Sequence, residues 1–153
     1  MHPLPDGYEI DTDRTRLDID RIWRFLHDAY WSPAIPKSIV ETSIRHSECF
    51  GVYRGAEQVG FARVVTDYST FGYIADVFVL PEHRGRGLSK ALMERILSHP
   101  GLQGFRRWQL GTLDAHGLYA RFGFASPTHP ERHMEMADPE IYRRPAARER
   151  KSG

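Results

Sequence analysis

The sequence contains almost no cysteine and no long apolar run. Cys49 is the only cysteine among 153 residues, so no disulfide can form within the chain, and we expect a reducing, cytoplasmic compartment. No stretch approaches the ~18 consecutive apolar residues that indicate a membrane span. The first ten residues also lack the basic and then apolar pattern of a secretion signal. These absences exclude a membrane protein and a disulfide-rich secreted domain.

Strong charge of one sign is also lacking. Lys and Arg number 21 against 20 Asp and Glu, a net charge of +1, so we expect neither a nucleic-acid nor a membrane partner. With one cysteine and no H-E-x-x-H spacing, the sequence predicts no metal site. A Walker phosphate loop is missing, and the dinucleotide fingerprint G-x-G-x-x-G fails because Lys90 replaces its third glycine.

Apolar residues recur with two periods, one typical of helices and one of strands. We expect one domain over residues 1–153, with a tail rich in Pro and Arg from about residue 139. Helices are predicted over 18–31, 37–47, 87–99 and 114–123. Strands are predicted over 8–17 (with its exit), 49–53, 58–66, 73–80, 106–112, 124–126 and 133–136. This order predicts an α+β fold with a mixed sheet.

The loop "EHRGRGLSK" joins a predicted apolar strand to a predicted helix. Gly85 and Gly87 allow the backbone to approach a ligand, and Arg84 and Arg86 add positive charge. Successive N–H groups at the start of a helix form a site for an anion, above all a phosphate. The alternative is a surface turn whose arginines are solvated.

Two segments resemble the GNAT family of N-acetyltransferases. The family's cofactor loop has Gln or Arg, then Gly three residues later, then Gly or Ala two further on; Arg84, Gly87 and Ser89 take these places. In "AHGLYARFGF", the family's later helix pattern is matched by Ala115, Tyr119, Gly123 and Phe124. Thr112 stands where the family often has Asn. The resemblance implies a mostly antiparallel sheet with splayed parallel strands and flanking helices.

The resemblance also implies that acetyl-CoA is bound and that its acetyl group passes to an amine. The diphosphate would lie on the backbone of the glycine loop, and the pantetheine arm would hydrogen-bond along the end of the preceding strand. The implied cofactor-binding residues are Val77, Phe78, Val79, Arg84, Gly85, Arg86, Gly87, Leu88, Ser89, Lys90, Thr112, Asp114 and Tyr119.

Two residues are candidates for proton transfer by the same resemblance. Tyr119 would protonate the leaving thiolate; the alternative is a core tyrosine on an amphipathic helix. Asp76 would deprotonate the amine; the alternative is that it accepts hydrogen bonds from a neighbouring loop. His116 has a suitable side chain, but a solvated histidine is the simpler interpretation.

The acceptor groove is expected between the first helical region and the C-terminal loops. Tyr30, Trp31, Tyr68 and Phe71 are the candidate acceptor-binding residues, through stacking on an apolar or cationic group; packing onto the core is the alternative. Glu131 and Glu135 would suit an amine. The acceptor is expected to be a small-molecule or peptide amine, and a homodimer follows by analogy with the family. A module that binds acyl-CoA without catalysis is the competing hypothesis.

Overall fold

The computed structural model describes residues 3–144. These residues form two compact units: one comprises 3–18 and 43–114, the other 19–42 and 115–144. Each unit is described separately. The helices are α1 (Ile19–Asp28), α2 (Lys37–Arg45), α3 (Leu88–Ser98) and α4 (His116–Ala120). The strands are β1 (Tyr8–Asp11), β2 (Glu48–Arg54), β3 (Glu57–Thr66), β4 (Phe71–Val79) and β5 (Arg107–Leu110).

The first unit is built on a five-stranded mixed sheet of order β1-β2-β3-β4-β5. The first three pairings are antiparallel, and β4 with β5 is parallel. A parallel pair needs a crossover between its strands, and α3 provides it. The predicted mixed α+β sheet is confirmed. The ends of β2 to β5 lie within two residues of the predicted ones, whereas β1 ends at Asp11, well before residue 17 where the predicted strand and its exit end.

Apolar side chains of β2, β3 and α3 form the core of this unit. The largest fully buried side chains include Phe50, Tyr53 and Phe61. The spacing of apolar residues in α3 predicts a buried stripe of Leu88, Ala91, Leu92, Ile96 and Leu97, and four of these five are buried. Leu97 is only half-buried, and Met93 is buried instead. The buried stripe of α3 therefore includes Met93 and omits Leu97.

The second unit contains α1 and α2 as far as Thr42. Ile22 and Leu26 are buried, as the helical spacing predicts. The indole N–H of Trp23 donates to the carbonyl of Ile35 at 2.9 Å. The prolines at 33 and 36 separate the two helices, because proline disrupts a helix interior.

The structure corrects two predictions for the C-terminal part of this unit. The predicted strands at 124–126 and 133–136 do not form; residues 125–140 are exposed, with one 3-10 turn at Pro130–Arg132. A strand needs a neighbour for its backbone groups, and the sheet within residues 3–144 ends at β5. The helix predicted over 114–123 is restricted to α4, because Gly123 adopts a φ of +95° that ends the turn.

An irregularity interrupts β4 at its middle. Phe61 pairs with Phe78 and Arg63 with Ala75, so one residue of β3 faces two residues of β4. This is a β-bulge. Asp76 in the bulge has a φ of +56°, in the left-handed region that non-glycine residues seldom adopt.

Candidate active site

The loop between β4 and α3 has the backbone expected of an anion-binding site. Gly85 and Gly87 have φ values of +77° and +78°, a conformation that glycine adopts without steric cost. Gly87 is also the N-cap of α3 and provides no side-chain hydrogen bond to it. The first intrahelical bond runs from the Ala91 N–H to the Gly87 carbonyl at 3.1 Å. The N–H groups of residues 88–90 therefore precede the helical hydrogen-bond ladder and point out of the N-terminus.

Two side-chain contacts fix the shape of this loop. His83 is buried, and its Nδ1 forms a 2.7 Å hydrogen bond with the hydroxyl of Tyr8 on β1. The Nε of Arg84 donates to the Val79 carbonyl at 2.9 Å. The loop is thus attached to the sheet at both contacts, and the exposed Arg84 and Arg86 place positive charge beside the start of α3.

The parallel pairing of β4 with β5 stops halfway along β4. The register joins Phe71–Ile74 to Arg107–Leu110, whereas β4 continues to Val79. The N–H of Leu80 donates to the Val59 carbonyl on β3 at 2.8 Å. Since alternate residues of a strand face opposite neighbours, the Val79 N–H faces the β5 side, beyond the last β4–β5 pair. Of the predicted pantetheine-binding residues, Phe78 and Val79 are buried and Val77 is half-buried.

Asp76 lies in a half-buried polar cluster. Its Oδ2 accepts a 2.9 Å hydrogen bond from the Nε of Arg63 on β3, with side-chain exposures of 11% and 18%. Arg63 also donates to the Ser47 hydroxyl at 3.1 Å. The carboxylate is therefore held by a guanidinium on the neighbouring strand, and its role as a base stays a prediction.

Two further predicted cofactor-binding residues of the first unit, Thr112 and Asp114, lie just after the end of β5. Thr112 is half-buried and Asp114 is exposed, and both follow β5 directly. Their contact with a cofactor stays a prediction.

Tyr119 lies on α4 in the second unit. Its side chain is buried, with 9% exposure, and its ring meets that of Phe124 edge-on at 6.2 Å. The Phe124 N–H donates to the Tyr119 carbonyl at 3.3 Å, so the turn closed by Gly123 brings the two rings together. His116, on the same helix, is exposed.

The four predicted acceptor-binding aromatics occur as two pairs. In the second unit, Tyr30 and Trp31 are 61% and 41% exposed and meet edge-on at 5.1 Å. In the first unit, Tyr68 lies in the β3–β4 turn, and its hydroxyl donates a 2.8 Å hydrogen bond to the Glu48 carboxylate on β2. Burial, with the bond to Glu48, raises the pKa of Tyr68. Phe71 begins β4 beside it and is half-buried.

Sequence reasoning missed two residues that position the site. No motif assigns a role to His83, but its hydrogen bond to Tyr8 attaches the loop to β1. Arg63 appeared as a strand residue, but it holds Asp76. The sequence does indicate Arg63, because it is a single charged residue among apolar residues of a strand and a charge in such a place is nearly always paired. It contains no comparable signal for His83.

Within residues 3–144, no group of three or more His, Cys, Asp and Glu side chains is arranged to hold a metal ion. No helix in that range is long and apolar enough to cross a membrane.

Comparison with known proteins places this geometry in a family. The sequence model of the acetyltransferase (GNAT) family matches residues 10–124. A Gibberella zeae protein assigned as an acetyltransferase is 32% identical over an alignment of 137 positions, and the match covers 74% of this chain and 76% of that protein. A crystal structure of a protein from Xanthomonas campestris pv. campestris, assigned to the GNAT family, is 52% identical and covers 92% of this chain and 99% of its own, with a TM-score of 0.88.

A more distant structure shares the fold. It is a Clostridium acetobutylicum protein assigned as an acetyltransferase and crystallised with acetyl-CoA. It is 16% identical, covers 85% of this chain and 94% of its own, and has a TM-score of 0.62. The family match spans most of the chain and includes the glycine loop, the bulged strand and α4. The chain therefore belongs to the GNAT family of acetyltransferases.

Proposed function

We propose that this protein transfers the acetyl group of acetyl-CoA to a primary amine of an acceptor. The observation that carries the proposal is the loop at residues 80–87. There, Gly85 and Gly87 adopt the left-handed backbone conformation and lead into α3, whose N-terminus has no side-chain cap. The loop follows the part of β4 that extends past its pairing with β5. The family uses acetyl-CoA, and the Clostridium acetobutylicum neighbour was crystallised with it.

The loop binds the diphosphate of the donor. The N–H groups of residues 84–89 and the positive end of the α3 dipole face the anion. Arg84 and Arg86 add charge; the Nε bond to Val79 occupies one of the five N–H donors of Arg84. Lys90, in the first turn of α3, is a further but weaker contact.

The end of β4 holds the pantetheine arm and the thioester. Residues 77–79 hydrogen-bond the arm as an added strand would, and Thr112 and Asp114 contact the donor from the end of β5. The Val79 N–H donates to the thioester oxygen, where negative charge develops in the tetrahedral transition state.

Transfer follows direct attack. The amine nitrogen attacks the thioester carbonyl carbon, the C–N bond forms, and the C–S bond breaks. Tyr119 gives its hydroxyl proton to the departing thiolate, the role that the family resemblance assigns to it. Asp76 takes the proton from the amine, and the exposed aromatic pair Tyr30 and Trp31, with Tyr68 and Phe71, contacts the acceptor.

Calorimetry and thermal shift with acetyl-CoA test the donor site. Acetyl-CoA at about 100 times its Kd would stabilise the fold by about 2.7 kcal/mol without any acceptor. Arg86→Glu should weaken binding by about tenfold or more, because it removes a favourable charge and adds a repulsive one. Arg24→Glu is the matched control: Arg24 is an exposed arginine of α1. No heat and no thermal shift with acetyl-CoA would overturn the proposal.

Turnover separates the enzyme from a sensor that binds acyl-CoA without catalysis. Free CoA thiol is measured while acetyl-CoA is incubated with a panel of primary amines. For an enzyme with Tyr119 as the acid, Tyr119→Phe should lower kcat by about 10²-fold and leave the Kd for acetyl-CoA within about twofold. Binding without turnover on any amine of the panel would favour the sensor.

A further inference from the structure

Two polar side chains lie side by side where β4 and β5 separate. Tyr73 of β4 and Gln109 of β5 are partners in the parallel register, so their side chains lie on the same face of the sheet. The next pair, Ile74 with Leu110, is the last between these strands. Both Tyr73 and Gln109 are half-buried. They therefore lie at the border of the space beside β4 that β5 does not fill.

The Tyr73 side chain extends along this face toward that space. Its hydroxyl lies 3.5 Å from the position that a Cβ would take at Gly111, the first residue after β5. Gly111 is exposed and has no side chain that could cover the hydroxyl. The phenol therefore reaches past the last strand pair, where a bound molecule can contact it.

The two side chains offer unused hydrogen-bonding groups. Within residues 3–144, neither the Tyr73 hydroxyl nor the Gln109 amide has a hydrogen-bond partner. The hydroxyl can donate and accept, and the amide provides one carbonyl acceptor and two N–H donors. Neither side chain is charged. The pair therefore suits a neutral group that itself both donates and accepts hydrogen bonds.

The pair shares its face of the sheet with the carboxylate proposed as the base. Val65 of β3 is opposite Tyr73, and Arg63, two residues earlier on β3, lies on the same face as Val65. The Nε of Arg63 donates to Asp76 at 2.9 Å. Since the charges of Arg63 and Asp76 offset each other, this face adds no net charge beside the neutral pair.

The spacing along the strands limits where the neutral group can be. Gly111, beside the Tyr73 hydroxyl, follows Leu110, which is opposite Ile74. The hydroxyl is thus one residue short of Asp76, or about 3.3 Å along the strand. An amine at Asp76 and a polar group at the hydroxyl are therefore bridged by one carbon atom.

We propose that Tyr73 and Gln109 bind an amide group on the carbon next to the acceptor amine, so that the acceptor is an α-amino amide. The Tyr73 hydroxyl donates to the amide carbonyl, and the carbonyl oxygen of the Gln109 side chain accepts from the amide N–H. The inference rests on the proposed acetyl transfer and narrows its acceptor from primary amines in general to this class.

Matched acceptors test the contact of Gln109. The amides and the methyl esters of glycine, leucine and phenylalanine share the amine and the carbonyl, but the esters lack the amide N–H. With acetyl-CoA as donor, kcat/KM should be at least about tenfold higher for each amide than for its ester, because the ester leaves the Gln109 oxygen without a donor. Gln109→Met should remove this difference.

Tyr73→Phe tests the contact with the carbonyl. It should lower kcat/KM for the amides by about tenfold and leave the Kd for acetyl-CoA within about twofold. With CoA in place of acetyl-CoA no transfer occurs, so calorimetry with leucinamide measures binding alone, and its Kd should also rise about tenfold. Tyr53→Phe is the control: the Tyr53 hydroxyl also has no hydrogen-bond partner within residues 3–144, but the residue is 1% exposed, so neither value should change.

Two results would overturn the inference and leave acetyl transfer to other amines standing. One is an ester that reacts as well as its amide, and the other is unchanged leucinamide binding in Tyr73→Phe. A wild-type protein that binds no acetyl-CoA would instead overturn the proposed function, and this inference with it.

Discussion

At the scale of single residues, Gly85 and Gly117 differ only in backbone conformation. A Cβ added at either position would have nothing within 4 Å, but the φ of Gly85 is +77°. Gly85→Ala should therefore lower the free energy of unfolding by about 1–2 kcal/mol. Each kcal/mol corresponds to a decrease of about 2–4 °C in Tm for a domain of this size. Gly117→Ala in α4 should be neutral or slightly stabilising. Thermal unfolding of both variants checks this, and equal losses would show that the strain at Gly85 is unimportant.

The pair of Asp76 and Arg63 gives a second prediction. Asn tolerates the left-handed backbone at position 76, so Asp76→Asn removes the charge without adding backbone strain. It should lower the free energy of unfolding by about 1–3 kcal/mol, because the half-buried Arg63 guanidinium loses its counter-ion. Arg63→Met added to Asp76→Asn should recover part of that loss. Denaturant unfolding of the two single variants and the double measures the coupling, and simple additivity would argue against the ion pair.

The same variant tests Asp76 as the base. If Asp76 deprotonates the amine, the folded Asp76→Asn protein loses the acidic limb of the kcat/KM profile against pH. An unchanged profile with reduced stability would assign Asp76 to the positioning of Arg63 alone.

At the scale of elements, the β3–β4 turn depends on one carboxylate. Asp67 accepts hydrogen bonds from the N–H groups of Ser69, Thr70 and Phe71 and from the Thr70 hydroxyl. These bonds, the Thr70 hydroxyl first, hold the pKa of Asp67 well below its usual range. Its stabilising effect is therefore complete above the unfolded pKa of about 3.9 and is lost as the pH falls toward the lower folded pKa.

Asp67→Asn should accordingly lower Tm at pH 7, and the difference from wild type should shrink below about pH 4. Thermal unfolding at neutral and acidic pH measures it. Asp6→Asn, at an exposed residue near the N-terminus, is the control and should change Tm little at either pH. A Tm difference that stays constant down to pH 2 would contradict the mechanism.

The elements that the sequence predicted best are those whose own residues determine them. The crossover from β4 through the glycine loop to α3 combines an apolar strand, two turn glycines and a helical stripe, and its motif has a family counterpart. The strand predicted at His133–Met136 has a clear alternation but no neighbour in the described chain, and a strand depends on its neighbour. The bulge at Asp76 has no signal in the sequence, because it follows from the pairing of two strands.

At the scale of the whole molecule, Cys49 reports on global unfolding. It is buried, and burial raises the pKa of its thiol to about 11. Since the thiolate is the reactive form, Ellman's reagent at pH 8 should react slowly with the native protein and with one thiol per chain in denaturant. Ser126→Cys, in the exposed segment at residues 125–140, should add one fast-reacting thiol. Rapid native reaction of Cys49 would show that the core opens locally.

The site as a whole was only partly predictable. Motifs locate the glycine loop because the family pattern has glycine and arginine at fixed places. The contacts that hold it, from His83 to Tyr8 and from Arg84 to Val79, join residues through the tertiary fold. Other polar residue types could make such hydrogen bonds, so spacing alone does not single these residues out.

The bulge in β4 changes which side chains share a face of the sheet. Ile74 pairs with Val64 and Val79 with Gly60, so Ile74 and Val79 point the same way although they are an odd number of positions apart. If β4 kept its present length but paired with β3 without the bulge, the buried Val79 would exchange faces with Leu80. Deleting one residue at position 76 or 77 would instead give a regular strand in which Ile74 and Val79 still share a face, because four positions would then separate them. The bulge is therefore what allows a strand of the present length to keep Val79 buried and its backbone edge in place at the mouth of the glycine loop.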